Sequence, residues 1–148
     1  ISKELPSADV LNHPGFIAPV DVTVERPDGQ ARTKKPEDVA ADDKIVDIGP
    51  DSIAAIAPLI EKANFILWNG PTGLYEKGYT SWTHAIAALV AKRTADGASV
   101  VIGGGDTIAA IEGSGIKEED LGFLSTGGGA MLEYLLKGTL PAIEALEQ

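Results

Sequence analysis

Residues 98–115 read "ASVVIGGGDTIAAIEGSG". The first part, "ASVVIGGG" (98–105), is a short apolar run rich in β-branched residues, which reads as a buried strand. The second part, "DTIAAIEGSG" (106–115), reads as a short helix that ends in glycine. A glycine corner joins the two. The same order recurs on either side. Upstream, "NFILWNG" (64–70) is a strand, followed by the loop "GPTGLYE" (70–76). The helix "TSWTHAIAALVAKRTADG" (80–97) comes next, with Thr80 or Ser81 as its cap and Gly97 as its stop. Downstream, "LGFLST" (121–126) is a strand, and "GAMLEYLLKG" (129–138) a helix with Met131, Leu132, Leu135 and Leu136 at helical spacing. Strands that alternate with helices, and are apolar throughout, imply a parallel sheet covered on its faces. The expected class is α/β: a Rossmann-like, three-layer αβα arrangement with helices flanking a parallel sheet.

Outward from this centre the pattern weakens. "GFIAPVDVTVE" (15–25) alternates and reads as a strand. "RPDGQARTKKPEDVAADD" (26–43) is polar, carries two prolines and an Asp-Gly turn signal, and reads as a loop with at most one helical turn. "KIVDIG" (44–49) is a short strand. "DSIAAIAPLIEKA" (51–63) is a helix capped by Asp51 or Ser52, and Pro58 inside it predicts a kink or a later start. "LPAIEALEQ" (140–148) is one more short helix.

The 148 residues suit one domain, and 44% apolar with 23% charged residues is an ordinary globular composition. No apolar run reaches the roughly 20 residues of a membrane span, so no membrane partner is expected. A net charge of −10 repels nucleic acid at long range. There is no cysteine, and His13 and His84 alone make no zinc site. The expected compartment is the cytoplasm. The first residue is Ile1, and "ISKELPSADV" is neither a signal nor a transit peptide. The chain is therefore expected to be cut from a longer protein.

Ligands of parallel α/β sheets sit beyond the carboxyl ends of the strands. Three such ends are glycine-rich here: "WNGPTGLYE" (68–76), "GGGDT" (103–107) and "STGGG" (125–129). Two familiar phosphate motifs are missing. No Gly-Lys is followed by Ser or Thr, and the sixth position of a dinucleotide fingerprint is Ile108 or Leu132 instead of Gly or Ala. The physics of a phosphate site remains, because bare glycines let backbone N–H groups close on an oxyanion and a helix N-terminus adds its dipole. Asp106 stands where it serves either as a helix cap or as a ligand for nucleotide-bound Mg²⁺. Glu76 is either a solvated loop carboxylate or an acceptor for ribose hydroxyls. Trp68 and Tyr75 read as core or pocket walls, His84 as a packed or exposed histidine, and Lys34 with Lys35 as a small solvated basic spot.

Taken in order, these three loops resemble phosphoglycerate kinase. "APVDVTVE" (18–25), "DIGPDS" (47–52) and "LPAIEAL" (140–146) extend the resemblance from about Phe16 to the end. The resemblance implies the later part of the C-terminal, nucleotide-binding domain of a two-domain glycolytic kinase. That family moves a phosphoryl group between 1,3-bisphosphoglycerate and MgADP, giving 3-phosphoglycerate and MgATP. It implies ADP or ATP with Mg²⁺ as ligand. Glu76 would then hold the ribose hydroxyls, while Asn69, Pro71, Gly73 and Leu74 shape the nucleotide pocket. Asp106 would meet the metal beside Gly104, Gly105 and Thr107. The amides of Gly127, Gly128 and Gly129 would lie where the phosphoryl group passes. The family's phosphate-contacting lysines and its phosphoglycerate site would precede this chain, so the chain alone is expected to be inactive and its parent monomeric. Thr72 and Tyr75 depart from the methionine or valine and the phenylalanine usual in that loop. The alternative reading is a free-standing, non-catalytic module that binds a nucleotide or phosphate.

Overall fold

The computed structural model describes residues 7–146. The chain folds around two separate three-stranded sheets. One turn of helix, α1 (Ala8–Leu11), precedes them.

The first sheet is antiparallel. β1 (Val22–Glu25) lies between β2 (Ala31–Lys34) and β3 (Lys44–Ile48). This corrects two expectations. The strand read over 15–25 is confined to its last four residues, and the loop read over 26–43 contains a strand of its own. The Asp28-Gly29 signal is the turn of a hairpin: Gly29 has φ +79°, the Arg26 N–H donates to the Gln30 carbonyl, and Glu25 pairs with Ala31. β2 reads Ala-Arg-Thr-Lys and is largely exposed, so no apolar alternation announces it. A single turn at Pro36–Asp38 supplies the expected helical piece. Lys34 and Lys35 are not merely solvated, since they pair with Asp43 and Asp51.

The second sheet is parallel and carries the α/β character. Its order is β4 (Phe65–Asn69), β5 (Ser99–Gly103), β6 (Phe123–Ser125). Leu67 pairs with Val101 and Val101 with Phe123, so residues in register share a face. Ile66, Trp68, Val100, Ile102 and Leu124 turn to one side. There they meet Ile86, Ala87 and Val90 of α3 (Ser81–Ala95) and Ile111 of α4 (Gly105–Ile111). Ile53, Ile56 and Ile60 of α2 (Pro50–Lys62) extend this core. On the opposite side, Met131 of α5 (Gly128–Lys137) reaches Gly103, while Phe65 and Phe123 stay 59% and 66% exposed. Helices therefore flank both faces, one fully and one only near the carboxyl end. The chain ends in α6 (Pro141–Leu146), and residues 147–148 of the helix read there lie outside the described residues.

The helix limits follow local chemistry, but the caps do not. α2 opens with Pro50 at its first position, where the missing N–H costs nothing. Neither Asp51 nor Ser52 caps it. The carboxylate of Asp21 takes the N–H groups of Asp51 and Ser52 at 3.0 and 2.8 Å and the Ser52 hydroxyl at 2.7 Å. Gly49 makes this approach possible, because a Cβ there would lie 2.3 Å from the Asp21 carboxylate. α2 already begins at Pro50 and runs through Pro58, so the later start expected from Pro58 does not occur. Ala54, whose carbonyl loses its helical donor to Pro58, is an exposed residue. Thr80 precedes α3 without a side-chain cap bond, and Gly97, at φ +96°, ends the helix as expected.

Candidate functional site

Asn69, Gly103 and Ser125 stand side by side at the carboxyl ends of the three parallel strands. The chain leaves each strand through a glycine-rich corner, and the corners are tied together. The Gly104 N–H donates to the Ser125 carbonyl at 2.8 Å. The Thr107 hydroxyl donates to the Gly103 carbonyl at 2.8 Å and accepts the Gly70 N–H at 2.7 Å. Thr107 is fully buried, so its hydroxyl fastens the 70–76 loop to α4 from within.

Two cavities open on this edge. One, of about 350 Å³, lies between Asn69, Pro71, Gly104, Gly105, Asp106, Thr107, Gly128 and Gly129. The other, of about 340 Å³, runs along Pro71, Gly73, Leu74 and Glu76 and is closed by Ile45, Val46 and Asp47 of β3. Pro71 and Asp106 line both. Of the sequence-derived candidates, only Gly127 lines neither. It is the N-cap of α5, with φ −90°.

The glycines of these loops differ in what they do. Gly128 is a packing glycine: a Cβ would fall 2.4 Å from Asn69 Oδ1 and 2.7 Å from Gly104 Cα. Gly104 has φ +95°, a conformation few other residues adopt. Gly105 and Gly129 meet nothing within 4 Å of a Cβ position, so their backbones face open space. Gly73 is pinned, since a Cβ would lie 2.3 Å from the Tyr79 carbonyl and 2.5 Å from Asp47 Oδ2.

Asp106 sits in the first turn of α4 and does not cap it. Its Oδ1 accepts the Tyr75 hydroxyl at 2.9 Å. That hydrogen bond, with some loss of solvation, raises the Tyr75 hydroxyl above the ordinary tyrosine range. Tyr75 opens a single helical turn, Tyr75–Lys77, and Glu76 beside it is exposed at the cavity wall. Among the described residues, no group of three or more His, Cys, Asp or Glu side chains is placed to hold a metal.

Asp47 is the residue that sequence reasoning missed. It is buried, and burial pushes its carboxyl above the usual range although the Ile48 N–H donates to its Oδ1 at 2.8 Å. The available signal was one acid inside the apolar strand "KIVDIG". Ile45 and Val46 form a wall for the same reason, since the end of β3 abuts the 70–76 loop: the Leu74 N–H donates to the Val46 carbonyl at 2.8 Å. Trp68 Nε1 donates to the Gly70 carbonyl at 2.7 Å, and His84 Nε2 lies 3.0 Å from the Ala110 carbonyl. Both are packed groups, as read from the sequence.

A family model described as phosphoglycerate kinase matches residues 3–138. The chain belongs to the phosphoglycerate kinase family. It is 48% identical over 134 residues to the phosphoglycerate kinase of Francisella tularensis subsp. novicida, a match covering 88% of this chain and 33% of that protein. The enzyme of Francisella tularensis subsp. holarctica is 47% identical over the same coverage. The structure of phosphoglycerate kinase from Coxiella burnetii superposes with a TM-score of 0.73 at 39% identity, covering 86% of this chain and 33% of that one. The crystal structure of the Pyrococcus horikoshii enzyme gives 0.70 at 30% identity, covering 92% and 33%. The chain thus spans about a third of the length of the phosphoglycerate kinases it matches.

Proposed function

We propose that this chain is the nucleotide-binding part of a phosphoglycerate kinase, with MgADP or MgATP as its ligand. The observation that carries this reading is the pair of adjoining cavities that share Asp106 and Pro71 at the carboxyl edge of the parallel sheet. A nucleoside fits the cavity between β3 and the 71–76 loop, where Ile45, Val46, Pro71, Gly73 and Leu74 supply the walls and Glu76 accepts ribose hydroxyls. The phosphates fit the neighbouring cavity, where Gly105 and Gly129 leave room for backbone approach. Asn69 and Gly104 border that cavity, and Thr107 holds its two walls together.

The donor set fits Mg²⁺ brought by a nucleotide, since Mg²⁺ takes one or two carboxylates and completes its shell with phosphate oxygens and water. Asp106 is that carboxylate. Bound there with a nucleotide, Mg²⁺ would neutralise charge on the phosphate oxygens. The amides at the start of α5, from Gly127 to Gly129, stand at the positive end of a ten-residue helix and favour negative charge on a transferring phosphoryl group. The glycolytic reaction between 1,3-bisphosphoglycerate and MgADP belongs to the whole enzyme. The acyl-phosphate substrate needs cationic partners, and among the described residues no lysine or arginine lines the two cavities, so the chain by itself is expected to turn over no substrate.

Calorimetric titration of the 148-residue chain with MgADP tests the reading. A dissociation constant on the order of 1 mM is expected, with a change in Trp68 emission, because its indole is bonded to the loop that borders both cavities. No heat and no emission change at several times that concentration, with the circular dichroism of a folded chain, would refute nucleotide binding. Phosphoglycerate-dependent ATP turnover by the pure chain would refute the expected inactivity.

A further inference from the structure

We infer that Tyr75 is a positioning residue for Asp106, and that it sets how strongly a divalent cation strengthens nucleotide binding. The inference rests on the nucleotide reading and adds a residue to it.

Asp106 is exposed in the first turn of α4 and caps nothing, so nothing in its own helix holds its carboxylate. An exposed carboxylate of this kind samples several rotamers, and a cation must select one. Tyr75 removes that freedom, because its hydroxyl donates to Oδ1 at 2.9 Å and leaves Oδ2 without that proton.

The tyrosine can act as a fixed post because its backbone is fixed. The Tyr75 N–H donates to the Gly73 carbonyl at 2.9 Å, and its carbonyl accepts the Gly78 N–H at 2.9 Å. Leu74 is bonded to β3, and Gly73 is wedged against Asp47 and the Tyr79 carbonyl. A phenol carried on two side-chain torsions from such a backbone loses little entropy in holding its partner.

Placement gives the bond its significance. The 70–76 loop and α4 are already joined at their base through Thr107. The Tyr75–Asp106 bond joins them again at the mouth, and Asp106 there borders both cavities. A nucleotide lying across the two cavities passes this point with its phosphates. A hydrogen bond to one oxygen of a metal-ligating carboxylate orients the other, and losing such a partner typically costs 10–100-fold in metal affinity.

A merely structural tyrosine would change ADP binding equally with and without metal. The test is therefore Tyr75→Phe, titrated with ADP in EDTA and in saturating Mg²⁺, with Mn²⁺ binding in the presence of ADP followed by electron paramagnetic resonance. The ring and every backbone bond of the loop remain, and the urea midpoint checks that the fold does too. Metal-free ADP affinity is expected to stay within about twofold, while the strengthening by Mg²⁺ falls about tenfold and Mn²⁺ binding weakens in parallel. Asp106→Asn should abolish the strengthening altogether. An unchanged or larger metal effect in Tyr75→Phe would overturn the role of Tyr75 and leave the nucleotide site standing. Failure of the wild-type chain to bind ADP under either condition would overturn the nucleotide reading, and this inference with it.

Discussion

The Asp21 carboxylate caps a helix that begins about 30 residues later, accepting the Ser52 N–H at 2.8 Å and the Ser52 hydroxyl at 2.7 Å. The pair is almost fully buried, and the Ser52 hydroxyl oxygen also takes the N–H groups of Val20 and Asp21. This one contact fixes the entry of α2 against the segment that leads into β1. Asp21→Ala leaves the buried Ser52 N–H and the part-buried Asp51 N–H without their acceptor. It should destabilise the chain by roughly 1–3 kcal/mol, read as a lower urea midpoint at an unchanged slope.

The same carboxylate predicts a pH dependence. Burial by itself would raise Asp21, but the bonds from the Ser52 hydroxyl and the N–H groups of Asp51 and Ser52 outweigh it, and the carboxyl lies below its ordinary value. Asp43, bonded to Lys34, and Glu25, bonded to the Tyr79 hydroxyl and near Lys77, are lowered as well. Groups shifted this way bind protons less readily folded than unfolded, so their stabilisation is complete above the unfolded values and disappears as pH falls through the folded ones. Asp47 is raised and acts oppositely: its contribution is complete below the unfolded value and declines as pH rises through the folded one. Stability should therefore fall below about pH 4. In Asp21→Asn that acid limb should be shallower, measured as urea midpoints between pH 2 and pH 7. An equally steep limb would refute the contribution of Asp21.

Adjacent glycines of the third loop should respond with opposite signs. A Cβ on Gly128 collides with Asn69 and the Gly104 backbone, so Gly128→Ala should cost roughly 1–3 kcal/mol as overpacking. A Cβ on Gly129 meets nothing. Because Gly129 lies within α5, Gly129→Ala should stabilise the chain by about 0.5–1 kcal/mol while weakening MgADP binding, since the methyl stands where the phosphates would approach. Thermal melts and nucleotide titrations of both variants separate the two roles.

One face of the parallel sheet is apolar and open away from the carboxyl end that α5 covers. β4 is an edge strand whose Phe65 is 59% exposed, and Phe123 on β6 shares its face at 66%. Unpaired edges with exposed aromatics associate. The isolated chain should show a weight-average mass that rises with concentration in sedimentation, and Phe65→Lys should reduce the rise. A single monomeric species at high concentration would contradict this.

Much of the α/β half was legible from residue order alone. β4, β5 and β6 read as apolar runs although only one face of β4 and β6 is well covered. α3 is marked by Gly97 at its end, and α5 by the helical spacing of Met131, Leu132, Leu135 and Leu136. The three glycine corners follow from the rule that ligands sit beyond strand ends. Asn69, Pro71, Gly73, Leu74, Glu76 and Asp106, singled out by the resemblance, all line the two cavities. β2 was illegible because an exposed edge strand needs no apolar alternation: its backbone pairs with β1 whatever its side chains are.

Sequence patterns encode local periodicity, and so they determined the class of fold, while the order of the glycine-rich motifs carried the resemblance to the family. Partners distant along the chain have no such signature. Tertiary structure alone decided that Asp21 caps α2, that Asp47 is buried behind Gly73, that Thr107 turns its hydroxyl inward, and that Tyr75 meets Asp106. The Asp21–Ser52, Gly70–Thr107 and Tyr75–Asp106 hydrogen bonds each join residues more than 30 apart along the chain. Only the packing of one element on another brings such groups within hydrogen-bonding reach, and only burial makes leaving them unpaired costly.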